Sequence, residues 1–438
     1  MHLGLDFGTT GARACVVNAD GAIVHEDRIT YSAVQTPLDW REALHTLLKR
    51  MPPSAATQLQ GIAIAATSGT VLLCDEELEP IHPQGVGRLV PGASGSTLPL
   101  SPALPYNDDR AREEAEQLKQ LAPPDHTVCS ATSGLAKFLW LTRHTDIANA
   151  AYFLHQADWL ASLLTGSGGI SDYHNALKTG YDVERLCWLD WVMRLPHAHL
   201  LPQVVAPDAA IAHISPAIAQ HFNLNPACTV HTGTTDSIAA FIAAGVHEPG
   251  AAVTSLGTTL VLKLLSERRV EAAQYGVYSH RYGNLWLAGG GVLRQHFSDE
   301  KLAELSKQID PNSDSPLDYY PLPRPGERFP INDPTLAPLL TPRPLRPCSG
   351  QTVDEVQFLH GLLQSLSRIE AAGYAKLAEL GATPLKSVTT TGGGAKNQVW
   401  KKMRERLLAV PVTTAQHVEA AYGAALLAQR GMTETPQV

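Results

Sequence analysis

Charged side chains are scarce in this 438-residue chain, at 17%, and acids outnumber bases, 42 Asp and Glu against 34 Lys and Arg. No run of Lys or Arg is long enough to follow a phosphate backbone, and a formal charge of -8 repels one. Nucleic acid and membrane surfaces are therefore not expected partners. Cysteine is also sparse: Cys15, Cys74, Cys129, Cys187, Cys228 and Cys348 lie scattered, with no CxxC pair. That excludes a disulfide framework and a zinc ribbon, and it predicts free thiols in a reducing cytosol. The first residues alternate as a strand instead of forming a basic and then apolar leader, so a cytoplasmic protein is expected. Missing as well are the phosphate-binding run GxxxxGK[ST] and the nucleophile elbow GxSxG. His197 and His199 have no acid paired with them on a shared helix face, so they read as a solvent-facing pair and not as zinc ligands.

What the chain does have is glycine and threonine in repeated short turns. Its length exceeds one hydrophobic core and predicts two domains. Residues 3 to 7 and 12 to 17 read as two strands around Gly8-Thr9-Thr10-Gly11, and a third strand follows the turn at 18 to 21. DWREALHTLLKRM (39 to 51) has helical spacing, and GIAIAATSGTVLL reads as strand, turn, strand. ADWLASLLTG is a helix stopped by Gly166. After the break HEPG, AAVTSLGTTLVLKLLSE repeats the opening pattern of strand, Gly-Thr-Thr turn and strand. Two related halves are expected, 1–245 and 246–438. Proline crowds residues 316 to 347, which reads as an irregular excursion. A long helix then begins with Thr352 and Glu355 as its expected capping box, and the tail runs strand, GGGAKN, helix, strand, helix.

These turns suit phosphate. Gly8 and Gly11 let the backbone approach closely, while Thr9 and Thr10 add hydroxyl donors, and Gly257, Thr258 and Thr259 repeat the arrangement. Asp6, two residues before Gly8, is placed to hold Mg²⁺ directly or through water. An ordinary hairpin with an incidental acid is the alternative. Gly392, Gly393 and Gly394 leave backbone bare for an adenine ring, with the Asn397 amide at its edge; a flexible turn is the alternative there. Asp236 opens a helix after a further Gly-Thr-Thr run. It is either a helix cap or a general base that takes the proton of an attacking hydroxyl.

With LGLDFGTTGARA, NDDRA, ADWLASLLTG, SDYHNALKTGYDVERLCW, GTTDS, SLGTT, PGER and GGGAKNQVWKKM in that order, the chain resembles the FGGY family of carbohydrate kinases, in particular its compact pentulose kinases of the D-ribulokinase and xylulokinase type. The resemblance implies an α/β fold of two actin-like, ribonuclease H-like domains, with mixed sheets flanked by helices around a central cleft. It implies ATP and Mg²⁺, with phosphates at the two hairpins, adenine against the glycines, and a pentulose near Asp6, Thr67, Ser68 and Asp236. Thr67, Ser68 and Gly69 stand where xylulokinases carry a Gln-Met-His-Gly-like stretch. D-ribulose is thus the expected substrate, and D-xylulose the alternative. An actin-like ATPase and a non-catalytic sugar sensor are the rivals from other classes. A monomer or homodimer is expected.

Overall fold

The computed structural model describes residues 1–31, 35–84, 101–123, 126–257, 260–292, 304–322, 325–339 and 354–433. The chain divides into two compact units, residues 1–243 with 419–438, and residues 244–418. The first unit is built on β1 (His2–Phe7), β2 (Gly11–Val17), β3 (Ile23–Thr30), β4 (Gly61–Ala66), β5 (Ala210–His213), β6 (Thr229–His231) and the short β7 (Thr234–Thr235). Its strands run in the order β5-β6-β4-β1-β2-β3, with β7 also on β4. The pairs β1–β2 and β2–β3 are antiparallel hairpins, whereas β1–β4 and β4–β6 are parallel. Tight turns can join only the first kind, so helices intervene before β4 and β6.

All six residues of β1 are buried, because both faces of the sheet are covered. On one face Leu3, Leu5 and Phe7 pack with Trp40, Leu44 and Leu47 of α1 (Pro37–Arg50) and with Trp159 and Leu160 of α2 (Gln156–Thr165). Helix α1 starts two residues before its expected first residue, since Thr36 and Asp39 form a reciprocal cap and Pro37 fits the first turn. The opposite face carries small residues: Ala65 meets Ala239 of α3 (Asp236–Ala243) and Ala420 and Ala424 of α6 (Ala420–Thr433).

The compact units differ from the expected halves at the last helix. Helix α6, assigned by sequence to the second half, lies against β1 so closely that a Cβ on Gly4 would stand 2.0 Å from the Ala421 carbonyl oxygen and 2.1 Å from the Ala425 nitrogen. Glycine permits that approach. Gly4→Val is expected to destabilise the protein by roughly 3 kcal/mol or more, because backbone and not a flexible side chain must move. An unchanged urea midpoint would show that α6 is not docked there.

The second unit repeats the centre of this order, a hairpin with strands added in parallel beside its first strand. Its β8 (Ala251–Leu256), β9 (Leu260–Ser266), β10 (Tyr278–Tyr282), β11 (Leu285–Val292), β12 (Ser387–Thr391) and β13 (Val412–Thr414) lie as β10-β11-β9-β8-β12-β13. Again the first three paired strands are antiparallel, and β12 and β13 add in parallel. Strand β8 thus occupies the place of β1, and β9 that of β2. Helices α4 (Glu355–Glu379) and α5 (Gln398–Leu408) cover this sheet, with Leu359, Leu363, Trp400 and Met403 in the core. The cap of α4 is Asp354 with Gln357, not the expected pair; Thr352 lies outside the described residues. The described part of the proline-rich stretch contains no helix or named strand. No helix among the described residues is long and apolar enough to cross a membrane.

Candidate active site

The first unit gathers its acids at the carboxyl ends of parallel strands. Asp6 on β1 and Thr234 on β7 both stand opposite Ala65 of β4 in the register, and Phe7 and Thr235 both stand opposite Ala66. Asp236 follows at once as the first residue of α3, half-buried, with its Oδ1 accepting the Ser237 N–H at 2.6 Å. Asp6 is 3% exposed. Its Oδ2 accepts from Arg13, directly across the β1–β2 pair, at 3.3 Å, and Arg13 also reaches Glu419 at 3.2 Å. Oδ1 of Asp6 is buried without a partner among the described residues. Burial raises the Asp6 pKa to about 7, the neighbouring Asp236 charge adds to the rise, and Arg13 opposes it. The two carboxylates are therefore close enough to feel each other.

Beyond β4, the turn 67–70 is held from three sides. Thr67 donates its hydroxyl to Gln156 Oε1 at 2.8 Å and lies 2.6 Å from the Thr70 hydroxyl. Lys137, on the helix Gly134–His144, donates to the carbonyl oxygens of Gly69 at 2.7 Å and Pro105 at 2.6 Å. Burial brings the Lys137 pKa down to about 7. The hydroxyl hydrogen of Thr67, expected beside the substrate, is engaged by Gln156. Ser68 is the half-buried hydroxyl of the turn.

A further layer of polar groups lies beneath. Asp172, fully buried, accepts from the backbone N–H groups of His174 and Asn175 and from Asn175 Nδ2, and burial together with Asp158 pushes its pKa up. The His174 ring meets the Thr234 hydroxyl at 2.7 Å, two residues before Asp236.

The first glycine turn closes with Gly8 N–H donating to Gly11 O at 3.0 Å. Gly11 is required by the fold, since a Cβ there would lie 2.1 Å from the Ile29 oxygen. Gly8 is not: its Cβ would meet only Gly11 O, at 3.7 Å. Packing does not demand glycine at position 8, and bare backbone there is open to a ligand. Thr9 and Thr10 are exposed beside it. In the second unit Gly257 follows β8, while Thr258 and Thr259 lie outside the described residues.

Gly392 has φ 84° and rests against the end of β8, where a Cβ would stand 2.6 Å from the Leu256 oxygen and 3.0 Å from the Gly257 nitrogen. The structure thereby joins the triple glycine to the start of the second Gly-Thr-Thr turn. Gly392 and Gly393 are exposed, but Gly394 is buried against Trp400 and Leu256. Asn397, expected at the adenine edge, is buried. Its oxygen caps α5 at the Trp400 N–H, 3.0 Å away, and its Nδ2 donates to Ser306 at 2.8 Å, so each end of the amide already makes one bond within the fold.

Residues 93–243 match the FGGY family of carbohydrate kinases, N-terminal domain, and residues 252–432 match its C-terminal domain. The chain belongs to this family. Among curated relatives of this FGGY kinase, the xylulose kinase of Klebsiella pneumoniae is 27% identical over 64% of the chain, and the ribulokinase of Shouchella clausii 26% identical over 61%. The alignments span 57% and 54% of those two proteins. The crystal structure of xylulose kinase from Rhodospirillum rubrum covers 100% of the chain and 90% of its own, with a TM-score of 0.76 at 19% identity, which shows that the two-domain actin-like fold is shared.

Sequence reading of this FGGY kinase missed Arg13, Lys137, Gln156, Asp172 and His174. Arg13 lies inside LGLDFGTTGARA and its strand register faces Asp6, so hairpin pairing alone points to it. Asp172 and His174 lie in SDYHNALKTGYD, which the resemblance picked out without giving roles. Lys137 and Gln156 leave no such signal, because their partners are 68 and 89 residues away.

Proposed function

We propose that this FGGY kinase transfers the γ-phosphoryl group of ATP to a hydroxyl of a ketopentose, with D-ribulose preferred. The observation that carries the proposal is the buried Asp6, with an unpartnered Oδ1, beside the half-buried Asp236. Phosphoryl transfer needs positioning and charge stabilisation more than covalent chemistry, and these two acids can divide that work. Asp236 accepts the proton of the attacking hydroxyl. Arg13 holds Asp6 in place from the facing strand.

The residues suit Mg²⁺. Asp6 presents a free hard oxygen, and no group of three or more His, Cys, Asp or Glu that could hold a metal occurs among the described residues. That fits an ion held by one carboxylate together with water and phosphate, which is how Mg²⁺ is commonly bound. Such an ion would neutralise charge on the phosphoryl oxygens.

The Gly8 turn supports the phosphate role. Gly8→Ala is expected to leave stability within about 0.5 kcal/mol of the parent, since the added methyl enters open space. The KM for ATP should rise roughly tenfold as phosphate loses contact with backbone N–H groups. Equal ATP kinetics in the two proteins would remove the turn from the site.

D-xylulose is the second reading, favoured by the names of the Klebsiella and Rhodospirillum proteins. The small Thr67-Ser68-Gly69 turn supports D-ribulose. ADP release with D-ribulose, D-xylulose, glycerol, gluconate, an aldohexose and no sugar separates the readings. The highest kcat/KM is expected with D-ribulose. Sugar-independent release at the full rate points instead to a plain ATPase, and no release with any sugar to a sensor.

A further inference from the structure

Gln156 opens helix α2, its backbone N–H donating to Thr70 O at 3.0 Å, and its residue exposure is 1%. The orientation of its amide is fixed by chemistry. The Thr67 backbone N–H, 3.3 Å from Oε1, can only donate, and so the oxygen and not the nitrogen must face it. The Thr67 hydroxyl donates to the same Oε1, which obliges the Thr70 hydroxyl to donate to Thr67. Two hydrogen bonds thus hold Oε1, while Nε2, with two N–H groups, has no protein partner among the described residues. Nε2 is not one of the buried side-chain atoms left without a partner, so its N–H groups are open to solvent or to a ligand.

Its place in the fold suggests what it meets. Thr67 is the first residue after β4, and β4 lies between β1, with Asp6, and β7, which leads into Asp236. Gln156 is therefore anchored at the carboxyl ends of the strands that carry both acids, where open α/β sheets take their ligands.

We propose that Gln156 is a specificity-determining residue that donates an Nε2 hydrogen bond to one oxygen of the carbohydrate. The site then selects polyhydroxylated substrates with an acceptor oxygen at that position and rejects the analogue without it. This inference rests on the ketopentose reading above.

The test uses the full chain, with Gln156→Met, which removes both ends of the amide, and Gln156→Glu, which still accepts from Thr67 but as a carboxylate cannot donate. For each, kcat/KM is measured with D-ribulose, D-xylulose and the single-position deoxy analogues, together with the melting temperature. Both variants should lose roughly ten- to a hundred-fold in kcat/KM on the intact ketose, mostly through KM. On one deoxy analogue, the one lacking the contacted oxygen, parent and variants should agree within about twofold. An equal loss on every sugar, or no loss, overturns the inference and leaves the ketopentose reading standing. Two variants that fail to fold also overturn it, because Gln156 then serves only the Thr67 turn. A parent that phosphorylates no sugar overturns both.

Discussion

Asp236→Asn is expected to lower kcat by roughly 10² to 10⁴, the range that general-base assistance supplies. The amide keeps the shape of the carboxylate, and its oxygen can still accept from the Ser237 N–H, a bond of 2.6 Å in the parent. Helix α3 should therefore survive, with sugar Kd and melting temperature little changed. What disappears is a group that can hold the proton released when the substrate hydroxyl attacks. The measurement is kcat, sugar Kd and melting temperature on the same preparation. Turnover within a few-fold of the parent would falsify the assignment. Loss of activity together with loss of fold would mean that Asp236 is a helix cap.

Asp6→Asn should abolish turnover at least as completely, and at the same time stabilise the protein above neutral pH. Burial and the Asp236 charge raise the folded-state pKa of Asp6 from 3.8 to about 7. Between those values the folded protein binds a proton that the unfolded chain releases. The group therefore supports the fold fully below about pH 4, and that support is lost as the pH rises through about 7. Asparagine is neutral throughout and removes the penalty of a buried charge, at the loss of the Arg13 contact. The expected gain at pH 8 is on the order of 1 to 3 kcal/mol, shrinking toward zero near pH 4. Residual activity should require more Mg²⁺ than the parent. Thermal melts of both proteins from pH 4 to pH 8 check the sign. A variant less stable than the parent at pH 8 would show that Arg13 fully compensates the Asp6 charge.

Local periodicity made much of this fold legible. The alternation of β1 and β2, the Gly8–Gly11 turn and the stop at Gly166 are properties of a few neighbouring residues, and the structure has them at those places. The repeated strand-turn-strand pattern anticipated two halves that each open with a hairpin, and both sheets have it. Thr67, Asn397 and the final helix share a feature that local sequence does not show. Each meets a partner distant in the chain. Thr67 is taken by Gln156, Asn397 by Ser306, and α6 by β1.

Gly394 shows the same limit. A triple glycine reads as bare backbone for a ring, yet Gly394 is glycine because Trp400 and Leu256 leave no room for a Cβ. Gly8 is the converse, a glycine that its own surroundings do not require. Sequence cannot distinguish the two, since both are simply missing a side chain.

By itself, then, the sequence determined the family and the opening hairpins of both sheets, and it supplied the two acids proposed for the site, Asp6 and Asp236, because short-range pattern and motif order encode these. Tertiary structure decided which unit owns the last helix, which hydroxyls and amides remain available, and how far burial moves the Asp6 proton. Those outcomes depend on contacts between residues tens to hundreds of positions apart, and on the low dielectric those contacts create.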